Sequence, residues 1–357
     1  MPAKRIVVIG ASAGGVESLC DLVASLPPVV DAAIFVVLHI PANCMSSLPE
    51  ILQRHGPLKA SHAKNGQAIE TGRIYVAPPD HHLLVDKRAV IVARGPKENR
   101  NRPSIDALFR SAAYAHGSAV IGIVLSGALD DGTSGLWSIK RMGGISIIQD
   151  PAEAIFDSMP SSALLQVKID HCLESRNMGP LIAKLTKKPI RQTARASAGE
   201  ISRMKQEISI AIDGDAFKKG VMEMGPPTPY TCPECRGVLV KLDGEPVARY
   251  RCHTGHAYTD NALLSGIMDR VDASYWDVMR SLEESAMLLG KMGDQLKGVG
   301  DKKSARLLQQ ESRRANEQAR RLRESVLSGA CFSGDTLLEK ARKQIRNQFK
   351  TRTSRSK

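Results

Sequence analysis

The sequence predicts an α/β protein with a three-layer, doubly wound, mostly parallel sheet, followed by a small zinc-binding module and an α-helical hairpin. Three observations lead there. Over about the first 190 residues, β-branched apolar runs alternate with amphipathic segments, the pattern of parallel strands joined by crossover helices. Next come paired metal-ligand residues, Cys232-Pro-Glu-Cys235 and Cys252-His-Thr-Gly-His256. Beyond Asn261 the apolar spacing changes to the three-four alternation of packed helices.

The first strand is expected at 5–9, an unbroken apolar run of the kind buried on both sheet faces. It stops at Gly10-Ala11-Ser12-Ala13-Gly14-Gly15 before a helix at 16–25, so Ser12 stands at the apex of a tight strand-to-helix turn. Further strands are expected at 33–38, 73–77, 83–85, 89–92, 119–125 and 145–149. Helices are expected at 46–54, 104–115, 133–142 and 160–166.

The glycine-rich turn fits a dinucleotide site poorly. Its middle glycine would fall on Ser12, and the second strand ends in His39 rather than in an acidic ribose clamp. Gly10-x-Ser12-x-Gly14 fits instead an elbow that exposes a serine nucleophile. Ser12 follows the first strand, His39 the second, and Ser126-Gly127-Ala128-Leu129-Asp130-Asp131-Gly132 the long run at 119–125. A hydroxyl, an imidazole and a carboxylate thus fall on the carboxyl edge of one sheet, where such folds bind ligands and where acyl transfer would need them. Each has a structural alternative: Ser12 could merely let a turn pack, His39 could be a half-buried strand end, and Asp130 and Asp131 could shape a turn and cap the next helix. Asp80, His81 and His82 form a second cluster, read as pocket wall with His82 as a reserve base.

These residues carry a family resemblance. Gly10-Ala11-Ser12-Ala13-Gly14-Gly15, Leu38-His39-Ile40-Pro41, Tyr75-Val76-Ala77-Pro78-Pro79-Asp80-His81-His82-Leu83, Arg102-Pro103-Ser104-Ile105-Asp106-Ala107-Leu108-Phe109, Leu125-Ser126-Gly127-Ala128-Leu129-Asp130-Asp131-Gly132 and Ser158-Met159-Pro160 closely resemble, in order, the catalytic domain of the chemotaxis protein-glutamate methylesterase family. The resemblance implies Ser12 as nucleophile, His39 as base and Asp131 as the third member. It implies hydrolysis of glutamyl methyl esters on methyl-accepting chemoreceptors, with glutamine deamidation as a related activity and no catalytic cofactor. Backbone donors at Ala13 and Gly14 would serve the oxyanion, with Ala128 and His82 in the pocket. The sequence departs from the family at Ala13, where threonine is usual, and at Ala128, where methionine is usual, so side-chain help at the oxyanion differs. It also begins at the catalytic domain's first strand, without the archetype's phosphoreceiver domain, and control is expected from a signalling partner in trans.

The formal charge of +13 over 357 residues is concentrated at the end. Residues 302–357 hold 16 Lys and Arg against 5 Asp and Glu, a net +11, which leaves +2 for residues 1–301. The basic tail is expected to be a solvated end, with an anionic partner as the alternative reading. No apolar run reaches membrane-spanning length and no signal peptide is recognised, so a cytoplasmic protein without membrane insertion is expected. Seven cysteines is an odd number; Cys20, Cys44, Cys172 and Cys331 read as reduced thiols.

The domain reading is a catalytic domain at 1–190, a linker with a short amphipathic helix at 191–227, a zinc-ribbon-like module at 228–260, a helical hairpin at 261–330 and a basic tail at 331–357. In the module, Cys232, Cys235, Cys252 and His256 are the expected ligands of a closed, structural zinc site, with His253 competing for the fourth place. A similar cysteine-rich appendix resembles that of some methylesterase relatives. In the hairpin, Leu264, Met268, Val271, Tyr275, Val278, Leu282, Ala286, Leu289, Met292 and Leu296 form the first stripe and Gly298-Val299-Gly300 the turn. The rival readings are a serine hydrolase of another ester or amide, and a non-catalytic, zinc-stabilised interaction or nucleic-acid-binding protein.

Overall fold

A computed structural model describes residues 5–190, 196–244 and 246–327. The first 190 residues form β1 (Ile6–Ala11), α1 (Gly15–Ala24), β2 (Ala33–Leu38), α2 (Leu48–His55), β3 (Lys59–His62), β4 (Arg73–Val76), β5 (His82–Val85), β6 (Val90–Ala93), α3 (Ile105–His116), β7 (Val120–Val124), α4 (Thr133–Arg141), β8 (Ile145–Gln149), α5 (Ser158–Gln166), β9 (His171–Leu173) and α6 (Met178–Lys187). Seven strands make one sheet in the order β3-β4-β2-β1-β7-β8-β9, with every neighbouring pair parallel.

Both faces of the sheet are covered, which is why its central strands are apolar at every position. Val7, Ile9, Ile34 and Val36 pack against Leu19, Leu22 and Val23 of α1, Leu52 of α2 and Ile182 of α6. The alternate residues Ile6, Val8, Phe35 and Val37 pack against Leu108 and Phe109 of α3, Leu136 of α4 and Met159 of α5. Each such side chain contributes about 1.5–3 kcal/mol when removed from water.

Three features depart from the sequence reading. The polar Lys59-Ala60-Ser61-His62 is a sheet strand, because an edge position leaves it partly exposed and frees it from the need for an apolar run. The runs at 83–85 and 89–92 pair with each other as the antiparallel β5–β6 ribbon outside the parallel sheet, and Ala89 adds an antiparallel bridge to Ala68. Residues 178–187, outside the expected helices, form α6, whose buried face includes Met178, Ile182 and Leu185.

The amphipathic helix of the linker is α7 (Ala198–Asp213), opened by a capping box in which Ser197 and Glu200 satisfy each other's backbone N–H groups. Then β10 (Pro227–Thr231), β11 (Val238–Leu242), β12 (Arg249–Cys252) and β13 (Ala257–Thr259) form a four-stranded antiparallel meander. Its last strand pairs with the loop that precedes α3: Glu98 bridges Ala257 in parallel, and the Asn99 N–H donates to the Ala257 carbonyl at 2.8 Å. Beneath this seam Arg110 of α3 and Arg249 and Arg251 of β12 converge on Glu98 and Glu207, all at most 3% exposed. Burial alone would raise both carboxyls, but the arginine charges hold Glu98 down to about 2 and Glu207 well below its usual range.

The backbone divides into two compact units, Met1–Leu263 and Leu264–Lys357. Helix α8 (Asp260–Gly298) begins in the first and supplies the first arm of the second; α9 (Lys302–Leu327) is the other arm. Within the second unit Ser312 Oγ donates to the Ala286 carbonyl at 2.7 Å and Gln309 to Asp294 at 3.2 Å, as in an antiparallel hairpin, with Gly300 at φ +92° in the turn. Of the expected apolar stripe, Leu264, Val271, Val278 and Met292 are more than one-third exposed, Met268, Tyr275, Leu282, Leu289 and Leu296 are half-buried, and Ala286 is buried, as are Ala305 and Ala319 of α9. These small side chains allow close helix approach. The basic tail at 331–357 lies outside the described residues.

Candidate active site

Register places the candidate residues at one level of the sheet. Ala11 pairs with Leu38 and Gly10 with Val124, so the chains leave β1, β2 and β7 side by side. The ladder continues one residue further: His39 N–H donates to the Ala11 carbonyl at 3.1 Å, Ser12 N–H to Ser126 at 2.9 Å, and Leu125 N–H to Gly10 at 2.9 Å. Strand order turns from β2 on one flank of β1 to β7 on the other, the topological switch where doubly wound sheets open a crevice.

At that crevice the structure brings Ser12, His39 and Asp131 into one line. Ser12 Oγ lies 3.2 Å from His39 Nδ1, and His39 Nε2 lies 2.9 Å from Asp131 Oδ2. The bond to Asp131 assigns the ring proton to Nε2, leaving Nδ1 as acceptor for the serine hydroxyl. The His39 side chain is 10% exposed and that of Asp131 3%.

Asp131 is held from several directions. Its Oδ2 accepts from the Ile105 N–H at 2.8 Å; its Oδ1 accepts from Asn99 Nδ2 at 2.8 Å, Gly132 N–H at 3.0 Å, Ser104 Oγ at 3.1 Å and Asp106 N–H at 3.2 Å. Ile105 and Asp106 open α3, so the carboxylate sits on a helix N-terminus. Burial pushes its pKa up, but the His39 hydrogen bond and charge, then Asn99 and the helix N–H, outweigh burial and bring it below the usual carboxylate range. The neighbouring Asp106 goes the other way, raised by burial and by the Asp131 charge. The shared negative charge therefore belongs to Asp131.

Two glycines make this geometry possible. Gly14 sits at φ +67°, which lets the chain turn straight from Ser12 into α1. Gly127 lies so close that a Cβ there would stand 2.1 Å from Met159 Sδ and 2.8 Å from Ser12 Cβ. Neither the Ala13 nor the Gly14 N–H has a hydrogen-bond partner among the described residues. Ala128 is exposed and lines a cleft of about 330 Å³ together with Ser12, His39, Asn99, Asp131, Glu234 and Ala262.

His82, expected in the pocket and as reserve base, does not reach it. It is fully buried behind the site, its Nε2 2.9 Å from the Pro96 carbonyl and its Nδ1 accepting from Ser104 N–H, and burial lowers its pKa. A histidine so enclosed is kept neutral and satisfied. Asp80 is bound by Arg102 and Arg94, each at 2.6 Å. Sequence reasoning missed Asn99 and gave Ser104 and Asp106 no role, because their connection to Asp131 is purely tertiary. Only the crowding of polar residues in Glu98-Asn99-Arg100-Asn101 hinted that this loop serves a site.

The second constellation is equally compact. The ligand atoms of Cys232, Cys235, Cys252 and His256 all lie within 4.8 Å of one another. Cys235 Sγ is 3.6 Å from Cys252 Sγ, and His256 Nδ1 is 3.6 Å from Cys252 Sγ and 3.7 Å from Cys232 Sγ. A tetrahedral ion with bonds of about 2.0–2.3 Å has edges of roughly 3.3–3.8 Å, so this donor set could hold a metal. His253 instead packs over Gly237, where a Cβ would lie 2.2 Å from its ring.

The fold and site define a doubly wound α/β protein with a Ser–His–Asp cluster of the kind hydrolases use. The chain belongs to the CheB methylesterase family, whose model matches residues 7–182. It is 35% identical over 187 residues to the putative protein-glutamate methylesterase/protein-glutamine glutaminase of Leptospira interrogans, covering 52% of this chain and 97% of that protein. It is 31% identical over 208 residues to the protein-glutamate methylesterase/protein-glutamine glutaminase of Photorhabdus laumondii, covering 57% of this chain and 56% of that protein. The solved catalytic domain of Thermotoga maritima CheB methylesterase is 31% identical, covered over 98% of its length and 51% of this chain, with a TM-score of 0.49. Among the described residues no helix is long and apolar enough to cross a membrane.

Proposed function

We propose that the chain hydrolyses methyl esters of glutamate side chains on methyl-accepting chemoreceptors, with Ser12 as nucleophile, His39 as general base and Asp131 as the group that orients and stabilises the imidazolium. The observation that carries this reading is His39, which bonds Ser12 through one ring nitrogen and Asp131 through the other. His39 Nδ1 takes the Ser12 proton as Oγ attacks the ester carbonyl; the same proton passes to the methoxide, methanol leaves, and a glutamyl-serine ester remains. Water, activated by the same imidazole, releases the glutamate and restores Ser12. The Ala13 and Gly14 N–H groups at the head of α1 would receive the oxyanion. A glutamine side chain would follow the same path with ammonia leaving, which is the deamidase activity.

The Cys232, Cys235, Cys252 and His256 set supports a structural Zn(II) site. All four places of the tetrahedron are filled by protein atoms, so such an ion would hold β10–β13 together and leave no open position for catalysis. No cofactor is required for the ester chemistry. The test is methanol release from methylated receptor by the full chain and by Ser12→Ala and His39→Ala. Loss of release by at least about 10³-fold in Ser12→Ala is expected; release that survives that substitution removes the hydrolase reading.

A further inference from the structure

The seam between the metal-ligand module and the catalytic residues runs through one side chain. Asn99 sits at φ +51°, 5% exposed, in the loop before α3. Its Nδ2 donates to Asp131 Oδ1 at 2.8 Å and to Asp106 Oδ2 at 2.9 Å. Its Oδ1 accepts from the Thr259 N–H at 2.9 Å, and its own N–H donates to the Ala257 carbonyl at 2.8 Å. Ala257 and Thr259 are the ends of β13, the strand that directly follows the ligand His256. Every polar atom of the amide is thus committed, one end to the candidate triad and the other to the module.

The end of this strand and the first turn of α8 also grip the residue beside Asp131. Thr259 Oγ1 donates to Asp130 Oδ1 at 2.7 Å and Asn261 Nδ2 to Asp130 Oδ2 at 2.8 Å. From the other knuckle, Glu234 stands between the ligands Cys232 and Cys235, pairs with Lys97 at 3.3 Å and lines the cleft in front of Ser12.

We infer that Asn99 is a positioning residue for the esterase and is itself held in place by the metal-ligand module, which makes the module a working part of the site. The inference rests on the triad reading above. Without β13 the loop would lose its strand-like anchor, and the Asn99 amide would be free to turn away from Asp131. The carboxylate would then keep its helix N-terminus but lose the restraint that aims it at His39 Nε2.

The test compares three variants of the full chain. Asn99→Gly deletes the amide while tolerating the positive φ. Thr259→Pro removes the N–H that holds the Asn99 oxygen; Thr259→Val removes only the hydroxyl. Two readouts are taken: kcat and KM for ester hydrolysis, and the low-field proton resonance of the His39–Asp131 hydrogen bond, assigned by its absence in His39→Ala. Asn99→Gly and Thr259→Pro are expected to lower kcat by about 10–100-fold with KM within roughly threefold, and to shift or broaden the resonance. Thr259→Val should retain at least about tenfold more kcat than Thr259→Pro. Circular dichroism and thermal melts confirm that each variant is folded; amide exchange at Asn99 reads the anchor in any that is destabilised, and is expected to quicken in Thr259→Pro. An unmoved resonance in Asn99→Gly overturns the inference, as does equal behaviour of the two Thr259 variants. If Ser12 of the wild type fails to react with a fluorophosphonate, the esterase reading falls, and the resonance and exchange measurements still decide whether the module positions Asp131.

Discussion

Asp130 and Asp131 are adjacent in the chain and serve opposite sides of the same turn. Asp131 holds His39, while Asp130 accepts from Thr259 and Asn261 at the foot of α8. Asp131→Asn is expected to lower kcat by about 10³–10⁴-fold, because the amide cannot stabilise the imidazolium, and also to cost about 1–3 kcal/mol of stability, because its NH2 would face N–H donors that now bond the carboxylate. Asp130→Asn should cost about 1–3 kcal/mol of stability with a smaller kinetic loss. Steady-state kinetics and thermal melts on the same preparations separate the two; matched kinetic losses would show that the pair acts as one.

Gly127 predicts a steric effect on the nucleophile. Gly127→Ala places a methyl against Ser12 Cβ and the Met159 sulfur, at a cost of about 1–3 kcal/mol and with displacement of Ser12 from His39. Gly199→Ala, in the first turn of α7 with only Ser197 Oγ nearby at 3.9 Å, should be neutral or stabilising by up to about 1 kcal/mol. Denaturant melts and fluorophosphonate labelling rates check both.

The buried Arg–Glu cluster predicts an acid transition. Glu98 is held at about 2 against an ordinary value of 4.5, so its folded pKa is depressed. Its contribution is complete above about 4.5 and is lost as pH falls towards 2. Glu98→Gln leaves Arg110 and Arg251 facing one remaining carboxylate and should cost about 3–5 kcal/mol at neutral pH, while flattening the acid dependence between those two values. Stability curves at a series of pH values read this directly; an unchanged acid limb in the variant would place the titration elsewhere.

Metal removal is expected to act on β10–β13 first. A chelator, or Cys235→Ser, should abolish stoichiometric metal and expose the amides of β11 and β12 to exchange, while the parallel sheet stays protected. Metal analysis with hydrogen exchange tests this. Metal-free wild type with the meander fully protected would show that the sheet stands without an ion.

Local patterning made the parallel sheet and its edge legible in the sequence. β1, β2 and β7 are buried on both faces and therefore read as unbroken apolar runs, and the small and polar residues that follow them mark where the chain turns. The Cys and His cluster was equally plain, because the short spacings of Cys232-x-x-Cys235 and Cys252-x-x-x-His256 are those a tetrahedral metal site would need. What no local pattern carries is contact between segments far apart in the chain. Edge strands β3 and β9 lack the apolar signature because one side faces water, and the β5–β6 ribbon left the sheet although its residues look like sheet strands. The position of His82 behind the site, and the path from Thr259 through Asn99 to Asp131 across 160 residues, were decided only by tertiary packing, since a hydrogen bond depends on where two backbones meet and leaves no periodicity in either.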